Sequence, residues 1–80
     1  MSSVNEQAIG DEAELLAGEL NKHIANNDAE AAKKVMRAYR DFRLSASEYH
    51  KDLGLVLVLE QHFAILKSKF FDAFGYEWEA

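Results

Sequence analysis

The chain has neither cysteine nor proline among its 80 residues. Without cysteine it forms no disulfide, and cysteine-based zinc or thiol chemistry is excluded. Proline breaks helices because it lacks a backbone donor and clashes with the preceding turn, so its absence favours long helices. A domain of this size buries only about 60% of the surface that its unfolded chain exposes. Its stability must therefore come from efficient helix packing or from self-association.

Long apolar runs are missing as well. The longest one, Leu55 to Leu59, is far shorter than the roughly 20 residues that a membrane-spanning helix needs. The first ten residues, MSSVNEQAIG, lack the basic region and apolar run of a signal peptide. We therefore expect one cytoplasmic domain over residues 1–80, with no membrane as a partner.

What the chain does have is apolar residues spaced three and four apart, which predicts an all-α bundle of three principal helices. The predicted helices cover residues 5–25, 28–44 and 46–74, between residues 1–4, which we expect to be disordered, and an aromatic–acidic tail at residues 75–80. The third helix is long, and Gly54 is where we expect it to kink or break. Gly75 suits the left-handed position that ends many helices.

Two polar stretches separate the helices. Asn27 followed by Glu30 has the spacing of a capping box, so we expect Asn27 to cap the second helix. Ser45 followed by Glu48 has the same spacing before the third helix, and Ser47 is an alternative cap.

The third helix carries apolar residues on more than one side. Its core-facing stripe lies within an arc of about 100°, the width typical of a buried face. The stripe comprises Leu55, Val56, Leu59, Phe63, Leu66, Phe70, Ala73 and Phe74. Glu60 and Lys67 border it on one side, and His62 and Lys69 on the other.

Beyond these polar borders lies a second set of apolar residues. Leu57, Ala64 and Phe71 are spaced seven apart, and Val58 and Ile65 form a smaller pair with the same spacing. Contiguous exposed apolar residues usually mark an interface. We expect a homodimer or another homo-oligomer, because two-fold pairs are the commonest soluble assemblies, or else another protein as the target. In the alternative, the first two helices wrap round the third and cover both sets.

Charge is distributed unevenly along the chain. The net charge of −5 divides into −6 over residues 1–30, +4 over residues 31–51 and −3 over residues 52–80. The second helix carries five cations, Lys33, Lys34, Arg37, Arg40 and Arg43. Such a stripe can neutralise phosphates, so a helical dimer that binds nucleic acid or phosphate is the alternative function. The acidic net charge opposes it, and we do not expect nucleic acid as a partner.

Three other kinds of site have weaker signals. The acidic residues are too sparse to indicate mimicry of a phosphate backbone. Glu19 and His23 share a helix face but lack the third ligand of a zinc site. Ser45 or Ser47 with His50 and Asp52 has only the residue types of a hydrolytic triad. No phosphate-binding or dinucleotide-binding fingerprint is present. We therefore expect no catalytic residues, no metal and no cofactor.

The tail GYEWEA contains Tyr76 and Trp78, residue types that are enriched at binding hot spots. It either docks into another protein or folds back over the core, and we favour the second interpretation. Together these features predict a small, acidic, non-enzymatic protein–protein interaction module. We expect it to self-associate through the apolar faces of the third helix and to act as an adaptor, inhibitor or regulator.

Overall fold

Three α-helices make up the described part of the chain, as the apolar spacing predicts. The computed structural model describes residues 2–50 and 53–79, and it describes side chains for residues 7–46 and 54–79. The helices are α1 (Ser2–Ala25), α2 (Ala29–His50) and α3 (Leu53–Phe74). No strand occurs in these ranges. The all-α prediction is therefore confirmed.

The helix boundaries differ from the predicted ones at three places. α1 begins at Ser2, within the segment that we expected to be disordered. α2 continues to His50, so Ser45 lies inside it and the prediction that Ser45 caps the third helix is wrong. Ala46 is only 7% exposed and packs in the core. This contact stabilises the helical conformation beyond Ser45. α3 then begins at Leu53, next to Gly54, where we expected a kink or a break.

Two adjacent polar residues form the turn between α1 and α2: Asn27 ends α1, and Asp28 starts α2. Asn27 has a left-handed φ of 55°, and its N–H donates to the Ile24 carbonyl at 3.0 Å. The Asp28 N–H donates to the His23 carbonyl at 2.9 Å, which completes a Schellman ending. Asp28 Oδ1 accepts a hydrogen bond from the Ala31 N–H at 3.1 Å. Asp28 is thus the N-cap of α2, and the prediction of Asn27 is wrong by one residue.

The three helices run up, down and up. Arg43, near the end of α2, pairs with Glu60 in the first half of α3. Lys33, near the start of α2, lies over the Tyr76 ring just beyond the end of α3. These contacts make α2 and α3 antiparallel, and the short turn after α1 makes α1 antiparallel to α2. The bundle measures 40 × 18 × 15 Å.

One apolar core joins the helices. Its fully enclosed side chains come from all three helices, with at least three from each, and no polar or charged side chain is buried among the described residues. They are Ala13, Leu16, Leu20, Ala32, Val35, Met36, Tyr39, Ala46, Leu59, Phe63, Leu66 and Phe70. Ile9 and Ile24 of α1 are partly buried against it. The predicted core-facing stripe of α3 is buried or partly buried at every position but Ala73, which is exposed, so its placement in the stripe is wrong. Ala73 lies at the edge of the predicted arc and lines an open groove beside Asn21 and Ile24 of α1, which do not cover it.

None of the described helices combines the length and the apolar character that crossing a bilayer requires. α3 has the most apolar sequence of the three, yet Glu60, Lys67, Lys69 and Asp72 divide it.

Replacing Gly18 with alanine should stabilise the fold. Gly18 lies inside α1, is exposed, and a Cβ added there meets no atom within 4 Å. Alanine restricts the unfolded backbone and costs nothing sterically, so we expect a gain of about 1 kcal/mol. Thermal unfolding followed by circular dichroism should show Tm raised by about 4–8 °C. An unchanged or lower Tm would contradict this account of α1.

The same substitution at Gly75 should have the opposite effect. Gly75 has φ of 81°, and its N–H donates to the Phe71 carbonyl at 2.8 Å, which ends α3. Open space surrounds the position of a Cβ, so the cost of Gly75→Ala comes from the left-handed backbone alone. We expect a loss of about 1–2 kcal/mol in the free energy of unfolding, measured by urea titration. Gly75→Asn is the control and should lose less, because asparagine tolerates this conformation.

Candidate interaction surface on the third helix

The second set of apolar residues on α3 faces solvent. The exposed fractions are 60% at Leu57, 59% at Val58, 54% at Ile65 and 47% at Phe71. Ala64, between them on the same face, is exposed as well. We call these five residues the outward patch. The alternative that α1 and α2 wrap round α3 and cover both sets is therefore wrong.

The opposite side of α3 is buried in the core. Leu59, Phe63, Leu66 and Phe70 are between 0% and 4% exposed. These residues lock α3 against the other helices, so the outward patch cannot rotate into the core without breaking the core itself. The patch is a fixed feature of the surface.

The polar residues around the outward patch balance in charge. Glu60 and Asp72 supply two negative charges, and Lys67 and Lys69 supply two positive ones. Most of the acidic excess lies on the N-terminal side of the chain, where residues 1–30 carry −6. A second surface can therefore approach α3 without meeting a strong field of one sign.

A cleft of about 380 Å³ lies at the C-terminal end of the outward patch. Phe71 and Trp78 supply its apolar lining, and Ser68 lines it as well. Lys67, Asp72 and Glu77 complete the lining. A cleft of this size accommodates an aliphatic side chain, so the patch offers a depression as well as a flat face.

Three of the five basic residues of α2 form ion pairs within the chain. Lys33 pairs with Glu30 at 3.5 Å, and Arg40 pairs with Asp41 at 3.0 Å. Lys34 and Arg37 are exposed on the same helix. The set predicted to bind phosphate is thus partly neutralised by neighbouring acids.

Arg43 contacts α3. Its side chain is only 18% exposed and forms an ion pair with Glu60. The guanidinium also lies over the Phe63 ring, with Cζ 5.0 Å from the ring centroid. Its Nε is buried and makes no hydrogen bond within the described part of the chain. Arg43 therefore joins α2 to α3, and this geometry does not offer it to a phosphate.

The tail folds back over the core. Trp78 is half-buried and meets the Phe63 ring edge to face at 5.7 Å between centroids. Tyr76 is 43% exposed and meets Phe70 at 5.4 Å. A hydrogen bond with Tyr76, and secondly the charge of Glu30, raise the pKa of Lys33 above its ordinary value. The tail is thus attached to α2 and α3, as the favoured interpretation predicts.

Sequence analysis missed the hydrogen bond that joins α2 and α3 near their middles. The Tyr39 hydroxyl lies 2.6 Å from His62 Nδ1, and the Tyr39 ring stacks on Phe63 at 5.5 Å. The sequence pattern places His62 only at the border of the core-facing stripe. The signal was available in principle, because an antiparallel hairpin brings together residues at similar distances from its turn. With the turn placed at Ser45, that pairing was out of register.

The residues considered for catalysis and metal binding do not form a described site. Ser47, His50 and Asp52 lie outside the described side chains, and Ser45 is exposed on α2. Among the described side chains, no three of histidine, aspartate and glutamate cluster closely enough to hold a metal ion. Glu19 and His23 thus have no described third ligand.

Comparison with known proteins adds no relative. No family model matches the chain, no curated protein matches its sequence, and no solved structure matches its fold.

The stability of the protein should fall above pH 10 because of Tyr39. Burial raises the pKa of Tyr39 from 10.0 to about 12, against the opposing charge of Arg43. The folded state thus favours the neutral phenol. The stabilisation that comes from keeping Tyr39 neutral is complete below about pH 10, the pKa of this group in the unfolded chain. It is lost as the pH rises through 12. Urea titrations should show wild type losing on the order of 2 kcal/mol more than Tyr39→Phe over this interval.

Tyr39→Phe serves as the reference because it removes the ionising group and keeps the ring stacked on Phe63. At neutral pH the variant should lose only about 1 kcal/mol, the net contribution of one hydrogen bond. Parallel pH profiles for the two proteins would show that Tyr39 does not cause the alkaline loss.

Proposed function

We propose that the protein is a small non-enzymatic interaction module that self-associates through the outward patch and acts on another protein as an adaptor, inhibitor or regulator. One observation carries the proposal: α3 exposes four large apolar side chains on one face while its opposite face is fully enclosed. Surfaces of this kind in small domains usually serve as interfaces.

The size of the patch favours a reversible pair. Full burial of a valine, leucine, isoleucine or phenylalanine side chain contributes about 1.5–3 kcal/mol. The four large side chains are already about half buried, so covering the remainder contributes about 1 kcal/mol each. Two copies together gain about 8 kcal/mol, which is comparable with the ~4–15 kcal/mol cost of association. We therefore expect the fraction of dimer to depend on protein concentration.

Electrostatics is compatible with this pairing. The charges bordering the outward patch cancel, so the contact itself brings no like charges together. Repulsion between two copies of net charge −5 acts over longer distances and weakens in salt, where the Debye length is about 10 Å at 0.1 M. Moderate salt should therefore strengthen self-association.

Binding of nucleic acid or phosphate by α2 is the alternative function, and no described contact favours it. Lys33, Arg40 and Arg43 each pair with an acid of the same chain. An electrophoretic shift that weakens steeply with salt would support this alternative.

Leu57→Glu and Phe71→Glu should each abolish self-association. A carboxylate at either position would have to be buried without a partner, which is costly in an apolar contact. Light scattering after size exclusion, over a dilution series, should show wild type rising from 9.1 kDa toward twice that mass with concentration. Both variants should stay at 9.1 kDa.

Leu15→Glu is the matched control, because Leu15 lies on α1 and is 57% exposed, close to the 60% of Leu57. It makes the same chemical change outside the patch and should leave the mass profile unchanged. A wild type that stays at 9.1 kDa at every concentration would contradict self-association. Equal loss in Leu15→Glu would place the contact elsewhere.

A further inference from the structure

We infer that the partner at the outward patch is the α3 of a second copy, running antiparallel in a single register that pairs Leu57 with the partner's Ser68. This inference rests on the proposed self-association and specifies its geometry. Three features of α3 determine the register: the sizes of the side chains on the outward face, the charges along one border, and the cleft beside Phe71.

The outward face of α3 contains two central rows. One row is Gly54, Gln61 and Ser68, and the other is Leu57, Ala64 and Phe71, with members seven residues apart. Because a seven-residue spacing keeps side chains along one seam, these rows would form the centre of a contact between two helices. The described members of both rows are exposed.

Side-chain size favours the antiparallel direction. When two such helices run antiparallel, each row packs against the other row of the partner. With Gln61 beside the partner's Ala64, Leu57 lies beside the partner's Ser68 and Phe71 beside the partner's Gly54. Every large residue then meets a small one, which lets the layers interdigitate. A parallel pair would place Phe71 on the partner's Phe71 and leave a gap between the two Gly54 positions.

The borders of the seam favour the same register. Glu60 then lies opposite the partner's Lys67, and Lys67 opposite the partner's Glu60, so two ion pairs form by symmetry. On the other border, Val58 lies opposite the partner's Ile65, and this contact also occurs twice. A parallel pair would set Glu60 against the partner's Ile65, although it would join Lys67 to the partner's Asp72. Only the antiparallel register gives Val58 and Ile65 an apolar neighbour and Glu60 a basic one.

Glu60 can take part in this contact while keeping its bond inside the chain. Its side chain is 48% exposed even though Arg43 binds one carboxylate oxygen. Lys67 lies over the Phe63 ring, with Nζ 4.8 Å from the centroid, at the border next to the outward patch. Both side chains are therefore partly ordered before any partner arrives, which reduces the ordering cost of the contact.

The cleft supplies a place for the partner's Leu57. In this register the side chain arrives beside Ser68, next to Phe71 and Trp78, which line the cleft of about 380 Å³. The two-fold axis gives each copy one cleft and one Leu57, so both clefts are filled at once. Such a contact uses the same surface on both copies and closes at two chains.

Single cysteines test the direction and the register, because the chain has no cysteine of its own. Leu57→Cys and Ser68→Cys are made as separate proteins, checked by circular dichroism, and oxidised alone and as an equal mixture. A disulfide needs Cα atoms within about 7 Å. In the inferred register the mixture yields a linked product carrying one chain of each variant, and each variant alone stays unlinked. Mass spectrometry identifies the product.

Leu15→Cys mixed with Ser68→Cys measures linking by random collision, because Leu15 is similarly exposed on α1. Linking of Leu57→Cys with itself above this background would show a parallel pair, since residues 57 and 68 are about 16 Å apart along one helix. Linking at background level in every sample would place the contact in another register or on another face. Either result overturns the inferred geometry while light scattering still shows a dimer, whereas a monomeric wild type overturns the proposed self-association itself.

Discussion

The contact between Tyr39 and α3 determines what the rest of the surface can do. Its ring stacks on Phe63 and its hydroxyl bonds His62, two neighbouring residues of α3. Together with the buried Leu59, Leu66 and Phe70, this contact fixes the rotation of α3 about its own axis. Once that rotation is fixed, residues seven apart on the far side must face outward. The outward patch is thus a consequence of how the core packs, because α3 has more apolar surface than one core of this size can enclose.

Much of the architecture could be predicted from the sequence. Apolar spacing predicted most of the buried face of α3, since residues three and four apart share one face whatever their neighbours are. It also included Ala73, which lies at the edge of that face and is exposed. Gly75 ended α3 as predicted because few other residues adopt a left-handed backbone without cost. The exposed position of the second apolar set was also predictable, because polar residues separate it from the core-facing stripe on both sides.

The boundaries were harder to predict because local signals compete with packing. Ser45 followed by Glu48 has the pattern of a helix start, yet α2 continues through Ser45 and buries Ala46. At the first turn, asparagine and aspartate are both residue types that cap helices well. Asn27 adopts the left-handed conformation that ends α1, which leaves Asp28 as the N-cap of α2. The misplaced second turn hid the Arg43–Glu60 ion pair and the Tyr39–His62 bond. Side-chain contacts between helices depend on register, which local patterns do not contain.

Trp78 gives the molecule a built-in optical probe. It is the chain's single tryptophan, one edge of it meets the buried Phe63 ring, and it also lines the cleft beside the outward patch. Indole emission depends on how much water surrounds the ring, so one fluorophore reports two separate events. Unfolding removes Trp78 from Phe63, whereas filling the cleft displaces water from its other side. The wavelength and intensity of emission therefore follow folding and occupancy in the unmodified protein, without an added label.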